Sequence, residues 1–454
     1  MLRKDPVQLS HAASSAANGT ANLAVPADGG QVPTLDDPEM APAMVPVIVP
    51  AIGPATLTPA IAAAVPARAT AGRAFAAIPC ADIAPAEWDA LVQQSPEGWL
   101  YQTTNWIEFA QQCGARSLSF GLRSQQGDLV GVFPLYREDL GGRGPLRLRR
   151  IHTGLSGPAL RDSLSPKARA QVWKEMFREV DRIASEQDVD LLQVRLTSMA
   201  PAYQPGRRPD VNPLYTVGVS APLSFNPLNI CPPLSRVLLL DKPQAQLLTE
   251  MDKKIHGMAS HAARNGVSVR VSEARADVRR FAELHASNWV QTGLDPHGLS
   301  HFENMWDRFH AAGSMRLLFA EHEGKPIAGV IVHTYKDAAF YWAGCSRHES
   351  LKLRPNNLLL WEAILHAKAR GLRCFEVGYF YAPPGPSEKE YNIGKYKSQF
   401  GVDALVPWEG QKVFKPARFL ALSLLRQSKH RLGELLKRKN RARDPEKHSE
   451  KDPE

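Results

Sequence analysis

The residues most suggestive of chemistry lie near the end of the chain, in the segment YNIGKYKSQFG at positions 391–401. Two lysines, Lys395 and Lys397, stand here beside Tyr396 and Phe400. A solvated turn does not need aromatic residues at this spacing. The segment therefore indicates either a helical turn that packs its aromatics inward or a cationic group held in a cleft.

A second group of cationic residues lies in MDKKIHGMASHAARNG at positions 251–266. Lys253, His256 and Arg264 recur there at helical spacings, so they predict one cationic helix face. A solvated basic face accounts for this pattern without any ligand. Contact with an anionic substrate is the functional alternative.

Two further positions place polar or aromatic groups on predicted strands. Glu376 in CFEVGYF ends a predicted central strand, and a carboxylate desolvated there would have a raised pKa and could act as a general base. A structural pairing with a nearby Arg or Lys is the alternative. Tyr341 and Trp342 alternate on another predicted strand, so one belongs to the core and the other can line a cleft.

The start of the helix PNNLLLWEAILHAKARG is a candidate anion site. Pro355 at the first helical position leaves the backbone N–H groups of the positive helix end free, and Arg354 and Asn356 flank it. A phosphate of a donor substrate could bind these groups. The alternative is that Arg354 is an exposed loop residue.

Two successive sets of elements are available to position these residues. From Phe75 onward, amphipathic helices, strands joined by the turn QQGD, a long helix and a further strand follow one another. LYTVGV at 214–219 is predicted to be a strand of this first set. The order helix, helix, antiparallel meander, helix, strand then recurs. We therefore predict a mixed α/β (α+β) fold made of two copies of one unit in tandem.

The second copy opens with one predicted helix over 243–265, with Gly266 as its C-cap. Further helices are predicted over 276–291 and about 299–312, before the strand meander. The resulting division of the chain is an Ala/Pro-rich extension over 1–73, an N-terminal domain over 74–241, a C-terminal domain over 242–410, and a basic amphipathic helix and tail over 411–454.

The charge of the chain is concentrated at its end. The formal net charge is +9, and residues 411–454 contain 13 Lys/Arg and 6 Asp/Glu, so this tail carries +7 of it. A general basic surface for nucleic acid is therefore not indicated. Leu422, Leu425, Leu432 and Leu436 follow one helical stripe in the tail, which predicts either a helix lying on an anionic membrane or one packing its leucines on the protein.

The cysteines and the first 73 residues carry no sign of export or metal binding. Five widely spaced cysteines without a CxxC pair argue against a disulfide framework and a zinc site, and favour buried free thiols in a reducing cytoplasm. The opening residues lack the apolar stretch of a signal peptide. The hydrophobic segment from Pro42 to Pro66 contains a proline about every four or five residues, which excludes a continuous transmembrane helix. Residues 1–73 are predicted to be extended and disordered.

Four segments resemble one protein family in order and spacing: LLTEMDKKIHGMASHAARNGVSV, GKPIAGVIVHTYKDAAFYWAGCS, RPNNLLLWEAILHAKARGLRCFEVG and IGKYKSQFG. This combination is similar to the FemAB-like acyltransferases of the GNAT superfamily, a group that includes the CelD/BioF2-like acetyltransferase branch. The resemblance covers roughly residues 76–410 and is strongest from 245 onward. It implies two tandem GNAT-like domains with a cleft between them, and transfer of an acyl or aminoacyl group to an amine.

The resemblance also implies roles for individual residues. Lys397 occupies the position of the family's lysine and would stabilise negative charge on the substrate or intermediate. Lys395 would be a surface charge. His256 stands where many relatives have an arginine that meets acceptor phosphates, so it would be a weaker, pH-dependent phosphate partner.

One departure from the superfamily concerns the donor. Members that use acetyl-coenzyme A carry a glycine-rich phosphate loop before the central helix. This chain has SRHESLKLRPNNLLL there, without glycine. The first domain lacks both a phosphate loop and the Lys397 motif, so it is not expected to be catalytic.

Together these features predict an N-acyltransferase acting on a bacterial cell-envelope (including peptidoglycan) or exopolysaccharide precursor. The donor would be acyl-coenzyme A, an acyl carrier protein thioester or aminoacyl-tRNA, with no tightly bound cofactor and no metal. The alternative is a non-catalytic GNAT-like binding or scaffold component of a polysaccharide synthesis or secretion system. Either protein would be cytoplasmic, with peripheral contact to the inner membrane through the C-terminal basic helix.

Overall fold

The computed structural model describes residues 74–140, 147–220, 234–291, 296–380 and 388–422, together with Leu424, Leu425 and Ser428. The strands are β1 Phe75–Pro79, β2 Arg116–Ser117, β3 Phe120–Ser124, β4 Leu129–Phe133, β5 Tyr136–Leu140, β6 Leu148–His152, β7 Ala159–Leu160, β8 Leu191–Leu196, β9 Leu234–Leu239, β10 Ser268–Ser272, β11 Met315–His322, β12 Lys325–Tyr335, β13 Ala338–Ser346, β14 Cys374–Phe380, β15 Asp403–Leu405 and β16 Trp408–Val413. The helices are α1 Pro85–Gln94, α2 Thr104–Gln112, α3 Pro166–Glu186, α4 Gln244–Glu250, α5 Lys253–Arg264, α6 Asp277–Gln291, α7 Leu299–Phe309, α8 Pro355–Ala369 and α9 Glu388–Ser398. The extension 1–73, Cys231, Leu432 and Leu436 lie outside these residues.

The same order of elements occurs twice along the chain. In the first half, β1 is followed by α1 and α2, antiparallel strands, α3 and β8. In the second, β10 is followed by α6 and α7, the meander β11–β12–β13, α8 and β14. Each half contains one short parallel pair, β6 with β8 and β13 with β14, connected through the long helix α3 or α8. The two tandem α/β units predicted from the sequence are confirmed.

The two halves exchange a strand. The second half is one seven-stranded sheet in the order β10-β11-β12-β13-β14-β9-β15, so β9, which precedes this half in the chain, pairs antiparallel with β14. Conversely, β16 pairs antiparallel with β8 in the five-stranded sheet of the first half. The domain bounds 74–241 and 242–410 stay a prediction. In the sheets, β9 from the first range belongs to the second half, and β16, which crosses the predicted boundary at residue 410, belongs to the first half.

Two apolar cores cover the faces of the seven-stranded sheet. One contains residues of both halves, including Trp99, Phe133, Phe281 and Trp342, and therefore joins them. The other lies beneath α5 and α8 and contains Tyr341 with residues of β9 and β14. The neighbours Tyr341 and Trp342 thus belong to opposite faces of the sheet, as the alternation of a strand requires.

Two local predictions are wrong. The predicted helix over 243–265 is two helices, because Met251 is extended and the Asp252 side chain accepts a hydrogen bond from the Lys254 amide as the N-cap of α5. The predicted strand at 214–219 is instead a short 3-10 helix, Pro213–Val217, whose first turn is capped by Asn212. In both places a side chain that caps a helix outweighed the hydrophobic pattern. Gly266, with φ of 76°, does follow the end of α5 as predicted.

The start of the C-terminal tail packs on the first half. Helical residues 416–422 bring Arg418 to within 3.0 Å of the buried Asp190 carboxylate. Leu422 is buried against Leu148 and Leu191. By contrast, Leu425, predicted to lie on the same stripe, is 55% exposed. The described part of the stripe is therefore divided between protein packing and solvent.

Candidate active site

The seven-stranded sheet opens between its two central strands. Residues Ala338–Phe340 of β13 pair in parallel with Cys374–Glu376 of β14. The pairing stops there, although both strands continue further. Beyond this point β13 has a bulge at Trp342, where its register with β12 shifts. Beyond the pair Phe340 and Glu376 the two strands are therefore not paired to each other, which leaves an opening at the centre of the sheet.

Lys397 is brought to this opening by α9, which packs on β14. Its side chain is 2% exposed, and its Nζ lies 4.6 Å from the centroid of the Tyr341 ring. Burial lowers the Lys397 pKa to about 8, and the charge of Glu376 opposes this effect. Within the described residues the ammonium makes no hydrogen bond or ion pair. Lys397 is thus a buried cation held against an aromatic face.

The aromatic neighbours of Lys397 in the sequence form part of its support. Tyr396 and Phe400 are both buried, and their rings meet edge to face at 5.4 Å between centroids. Lys395, two residues before Lys397, is exposed. The two lysines, which Tyr396 separates in the sequence, therefore differ in solvent exposure: Lys397 is buried and Lys395 faces solvent.

Glu376 is buried at the end of the parallel pairing. Its Oε1 accepts a hydrogen bond from the Ser235 hydroxyl at 2.6 Å, and its Oε2 accepts one from the Ser198 hydroxyl at 2.7 Å. Burial raises the Glu376 pKa, and these two hydrogen bonds oppose the increase. Because Ser198 follows β8 of the first half and Ser235 lies on β9, the carboxylate connects the two halves. Both of its oxygens are already engaged, which fits a positioning and charge-balancing group better than a free base.

Tyr341 owes its position to a glycine three residues further along β13. A Cβ atom at Gly344 would lie 1.8 Å from the Tyr341 hydroxyl oxygen, so the phenol rests where any other residue would place its side chain. Burial raises the pKa of the Tyr341 hydroxyl, which keeps it protonated. Gly344 therefore determines where the ring that faces Lys397 can lie.

The remaining predicted site residues do not join this group. Lys253, His256 and Arg264 are exposed along α5, as their helical spacing indicated. Asn356, at the start of α8, is buried and donates a hydrogen bond to the Ser346 hydroxyl at 3.1 Å. Arg354 precedes α8 in a left-handed conformation with φ of 56°. Among the described residues, none of these five makes a hydrogen bond, ion pair or ring contact with Lys397.

The segment before α8 does not form a phosphate loop. It is a 3-10 helix, His348–Leu353, and the amides of Arg347, Ser350 and Arg354 donate to backbone carbonyls of Ile327, Arg347 and Leu351. These are N–H groups that a phosphate loop would direct at its ligand. The lack of glycine noted in the sequence thus has a structural counterpart.

Three residues of this arrangement were missed by the sequence analysis. Ser198, Ser235 and Gly344 hold Glu376 and Tyr341 in place, but single serines and a glycine within a strand carry no pattern that would identify them. Ser198 and Glu376 are 178 residues apart in the chain. Only the packing of the two halves brings them together.

The described residues contain no metal-binding cluster, disulfide bond or membrane-spanning helix. No group of three or more His, Cys, Asp or Glu in these ranges is arranged to hold a metal ion. Cys80, Cys113, Cys345 and Cys374 are free thiols. Among the described helices, none combines the length and apolar character needed to cross a bilayer.

The chain resembles known proteins at three levels. Residues 251–391 match the sequence profile of the acetyltransferase (GNAT) domain, a range that includes Tyr341 and Glu376 and ends before Lys397. Lipid II:glycine glycyltransferase of Staphylococcus haemolyticus is 24% identical over 265 residues, which cover 55% of this chain and 57% of that protein. The protein of the same name from Staphylococcus aureus (strain MRSA252) is 25% identical over 249 residues, covering 53% and 54%. The chain thus matches only slightly more than half the length of these relatives.

The crystal structure of FemX has the same fold. It superposes with a TM-score of 0.58 at 16% identity, covering 75% of this chain and 98% of FemX. Residues 251–391 therefore match a GNAT domain, within a fold of two tandem halves that FemX shares. These similarities support the resemblance to the FemAB-like acyltransferases that the sequence predicts.

Proposed function

We propose that this protein transfers an acyl or aminoacyl group to an amine of a bacterial cell-envelope precursor, with Lys397 as its catalytic cation. The observation that carries this proposal is the buried Lys397 ammonium beside Tyr341 at the opening of the sheet. Among the residues that the structure describes, no carboxylate contacts this ammonium; a buried charge in such a setting is unfavourable for folding, and such groups concentrate at functional sites. The relatives are named as glycyltransferases of lipid II, and this supports an envelope precursor as the acceptor.

The chemistry follows from where charge develops. A neutral amine attacks the carbonyl carbon of the acyl donor, a C–N bond forms, and negative charge grows on the carbonyl oxygen. The Lys397 ammonium stabilises this oxygen in a site with little water. Collapse of the intermediate breaks the bond to the leaving oxygen or sulfur, which takes up a proton while the new amide loses one. Burial lowers the Lys397 pKa to about 8, which still favours the protonated ammonium at pH 7.

The donor is best matched by an acyl group carried on a macromolecule. Three amides before α8, those of Arg347, Ser350 and Arg354, already donate to backbone carbonyls, which argues against a pyrophosphate site of acyl-coenzyme A at this position. Aminoacyl-tRNA and an acyl carrier protein thioester remain the candidates, and the relatives' glycyl transfer favours the former. Lys253, His256 and Arg264 form an exposed cationic face that suits the phosphates of such a substrate.

The proposed location is the cytoplasm, at the surface of the inner membrane. Leu420, Leu424 and Leu425 are 46%, 52% and 55% exposed at the start of the basic tail. Exposed leucines beside basic residues bind anionic bilayers through apolar burial and charge attraction. A lipid-linked acceptor would be reached from this position.

The test is transfer by the purified full-length chain with a lipid-linked envelope precursor. Glycyl-tRNA, acyl carrier protein thioesters and acetyl-coenzyme A, each radiolabelled in the acyl group, are supplied separately. Label should enter the precursor from a macromolecular donor, and Lys397→Met should lower the rate of transfer by about 10²–10³-fold whereas Lys395→Met should leave it unchanged. Equal transfer by the Lys397→Met variant would exclude the proposed role.

A non-catalytic binding protein is the second candidate, favoured by the missing phosphate loop and by His256 in place of an arginine. It predicts that the chain binds the precursor and that none of the three donors loses its acyl group. Precursor binding measured in the same samples separates this outcome from an inactive preparation.

A further inference from the structure

Two serine hydroxyls from different halves of the protein hold one carboxylate at the opening of the sheet. The Ser198 hydroxyl donates to Glu376 Oε2 at 2.7 Å, and the Ser235 hydroxyl donates to Oε1 at 2.6 Å. The two hydroxyl oxygens lie 3.2 Å apart. All three side chains are buried, so they form one compact group, here called the serine–glutamate group.

Ser198 reaches this group from a tight turn of the first half. It directly follows Thr197, whose hydroxyl accepts a hydrogen bond from the Met199 amide at 3.2 Å. The Gln204 side chain donates to the Met199 carbonyl at 3.2 Å and to Asp337 Oδ1 of the second half at 2.7 Å. The turn is therefore fixed both within the first half and to the second half, which gives the Ser198 hydroxyl a defined place.

The strand pairing fixes Glu376 from the other side. Glu376 pairs with Val237 of β9, and Ser235 lies two residues before Val237, on the same face of that strand. The register between β14 and β9 shifts directly after Glu376, before Gly378, which has φ of 94°. Such irregularities direct side chains at functional sites. The carboxylate is thus held by the backbone as well as by the two hydroxyls.

The hydrogen bonds of the serine–glutamate group favour one charge state of the carboxylate. A serine hydroxyl has a single proton to donate, and both protons are directed at Glu376. An ionised carboxylate accepts both, whereas a protonated carboxyl would turn one of its oxygens into a donor. The two hydrogen bonds lower the Glu376 pKa against the increase that burial causes. The serines therefore stabilise a negative charge in an apolar setting.

This negative charge faces two cations. Arg195 on β8 and Lys397 on α9 both favour the ionised form of Glu376 and lower its pKa. Arg195 is also paired with Glu409 at 2.8 Å. Burial lowers the Lys397 pKa to about 8, and the charge of Glu376 opposes this effect. The neighbouring titratable side chains that burial keeps uncharged at neutral pH are Tyr341, Cys374 and Tyr396.

We propose that Ser198 is a positioning residue for the transfer reaction, through which the first half keeps Glu376 ionised and Lys397 in its ammonium form. This inference rests on the proposed catalytic role of Lys397. It gives the first half, which lacks the lysine motif, a part in the chemistry without contact to the reacting atoms.

The pH dependence of kcat for the full-length chain tests this role, with labelled glycyl-tRNA and a lipid-linked envelope precursor as substrates. Ser198→Ala removes one hydrogen bond to the carboxylate, so the fall of kcat that is expected near pH 8 should move to lower pH by about 0.5–1 unit. Ser198→Thr keeps a hydroxyl and should restore most of the shift. Ser156→Ala is the matched control, because it removes the hydroxyl of another buried serine of the first half, and it should leave the profile unchanged.

Urea unfolding follows the charge of Lys397 without any need for activity. Lys397 holds its proton less tightly in the folded than in the unfolded chain, so its contribution to stability rises as the pH increases through its folded pKa of about 8. The difference in unfolding free energy between a protein and its Lys397→Met variant isolates this contribution at each pH. With Ser198→Ala in both members of the pair, the rise should begin at lower pH.

Two further variants show whether the effect passes through Glu376. In a Glu376→Gln background, Ser198→Ala should shift neither profile further, because the charge that Ser198 stabilises is already absent. Ser235→Ala removes the other hydrogen bond to the carboxylate and should shift both profiles in the same direction as Ser198→Ala.

Three results would overturn the proposal. They are unchanged profiles in both serine variants with only a loss of stability, an equal shift by Ser156→Ala, and a full further shift in the Glu376→Gln background. A shift of the unfolding difference in a protein that shows no transfer would contradict the proposed function instead. It would leave the link from Ser198 to the charge of Lys397 intact.

Discussion

Replacing Lys397 by methionine should make the protein more stable and less active at the same time. In the folded chain burial lowers the Lys397 pKa from 10.5 to about 8. A difference of this size corresponds to about 3 kcal/mol of free energy that opposes folding when the lysine is charged. Methionine fills a similar volume without a charge, so the free energy of unfolding at pH 7 should rise by up to about 3 kcal/mol.

The same substitution removes the cation that would stabilise the oxyanion. Loss of one such group lowers kcat by about 10²–10³-fold in enzymes of comparable chemistry. The assays are urea unfolding at pH 7 for stability, and transfer of labelled acyl group to a lipid-linked precursor for kcat. Opposite signs for the two changes are the signature of a charge retained for function.

Lys395→Met is the matched control, because Lys395 lies two residues away and is exposed. It should alter stability by no more than about 0.5 kcal/mol and leave kcat unchanged. The reasoning would be refuted if Lys397→Met destabilised the protein while kcat stayed the same. That pair of results would mean that the ammonium has favourable structural partners and no role in transfer.

Three further predictions concern the groups around Lys397. Because the folded state holds this proton less tightly than the unfolded state, stability should rise between pH 8 and 10.5 in urea unfolding, and kcat should fall as the pH passes about 8. Gly344→Ala should lower kcat at least about tenfold, because the added Cβ displaces the Tyr341 hydroxyl. Gly257→Ala on α5 is its control: the added Cβ lies in open space, so this variant should stabilise the protein by about 0.5–1 kcal/mol. Glu376→Gln removes the charge that supports protonation of Lys397, so the falling limb of the pH–kcat profile should move to lower pH. An unchanged profile together with reduced stability would indicate that Glu376 has a structural role alone.

Much of the fold was accessible from the order of elements. Alternating apolar residues in the meander and proline or glycine at helix ends are local signals, and they correctly indicated two tandem α/β units. The failures were also local: Asp252 caps a new helix inside a continuous hydrophobic pattern, and Asn212 caps a 3-10 turn in an apparent strand. The exchange of β9 and β16 between the halves had no local signal, because strand pairing depends on partners distant in the chain.

The candidate site was accessible only in part. The motif around Lys397 identified the cation, and the resemblance to a family gave it a chemical task. The cationic residues of α5, grouped with it as substrate-binding residues, lie on an exposed face without contact to it in the described ranges. Helical spacing shows which residues share a face, but it does not show what that face meets.

By itself, the sequence determined the class of fold, the lysine of interest and the lack of a glycine-rich phosphate loop. These depend on residue type and short spacing, which are properties of the chain. The tertiary structure alone decided that Lys397 is buried while Lys395 is exposed, that Ser198 and Ser235 hold Glu376, and that Gly344 makes room for Tyr341. A shifted pKa and a buried charge depend on solvent exclusion, and solvent is excluded only when segments far apart in sequence pack together.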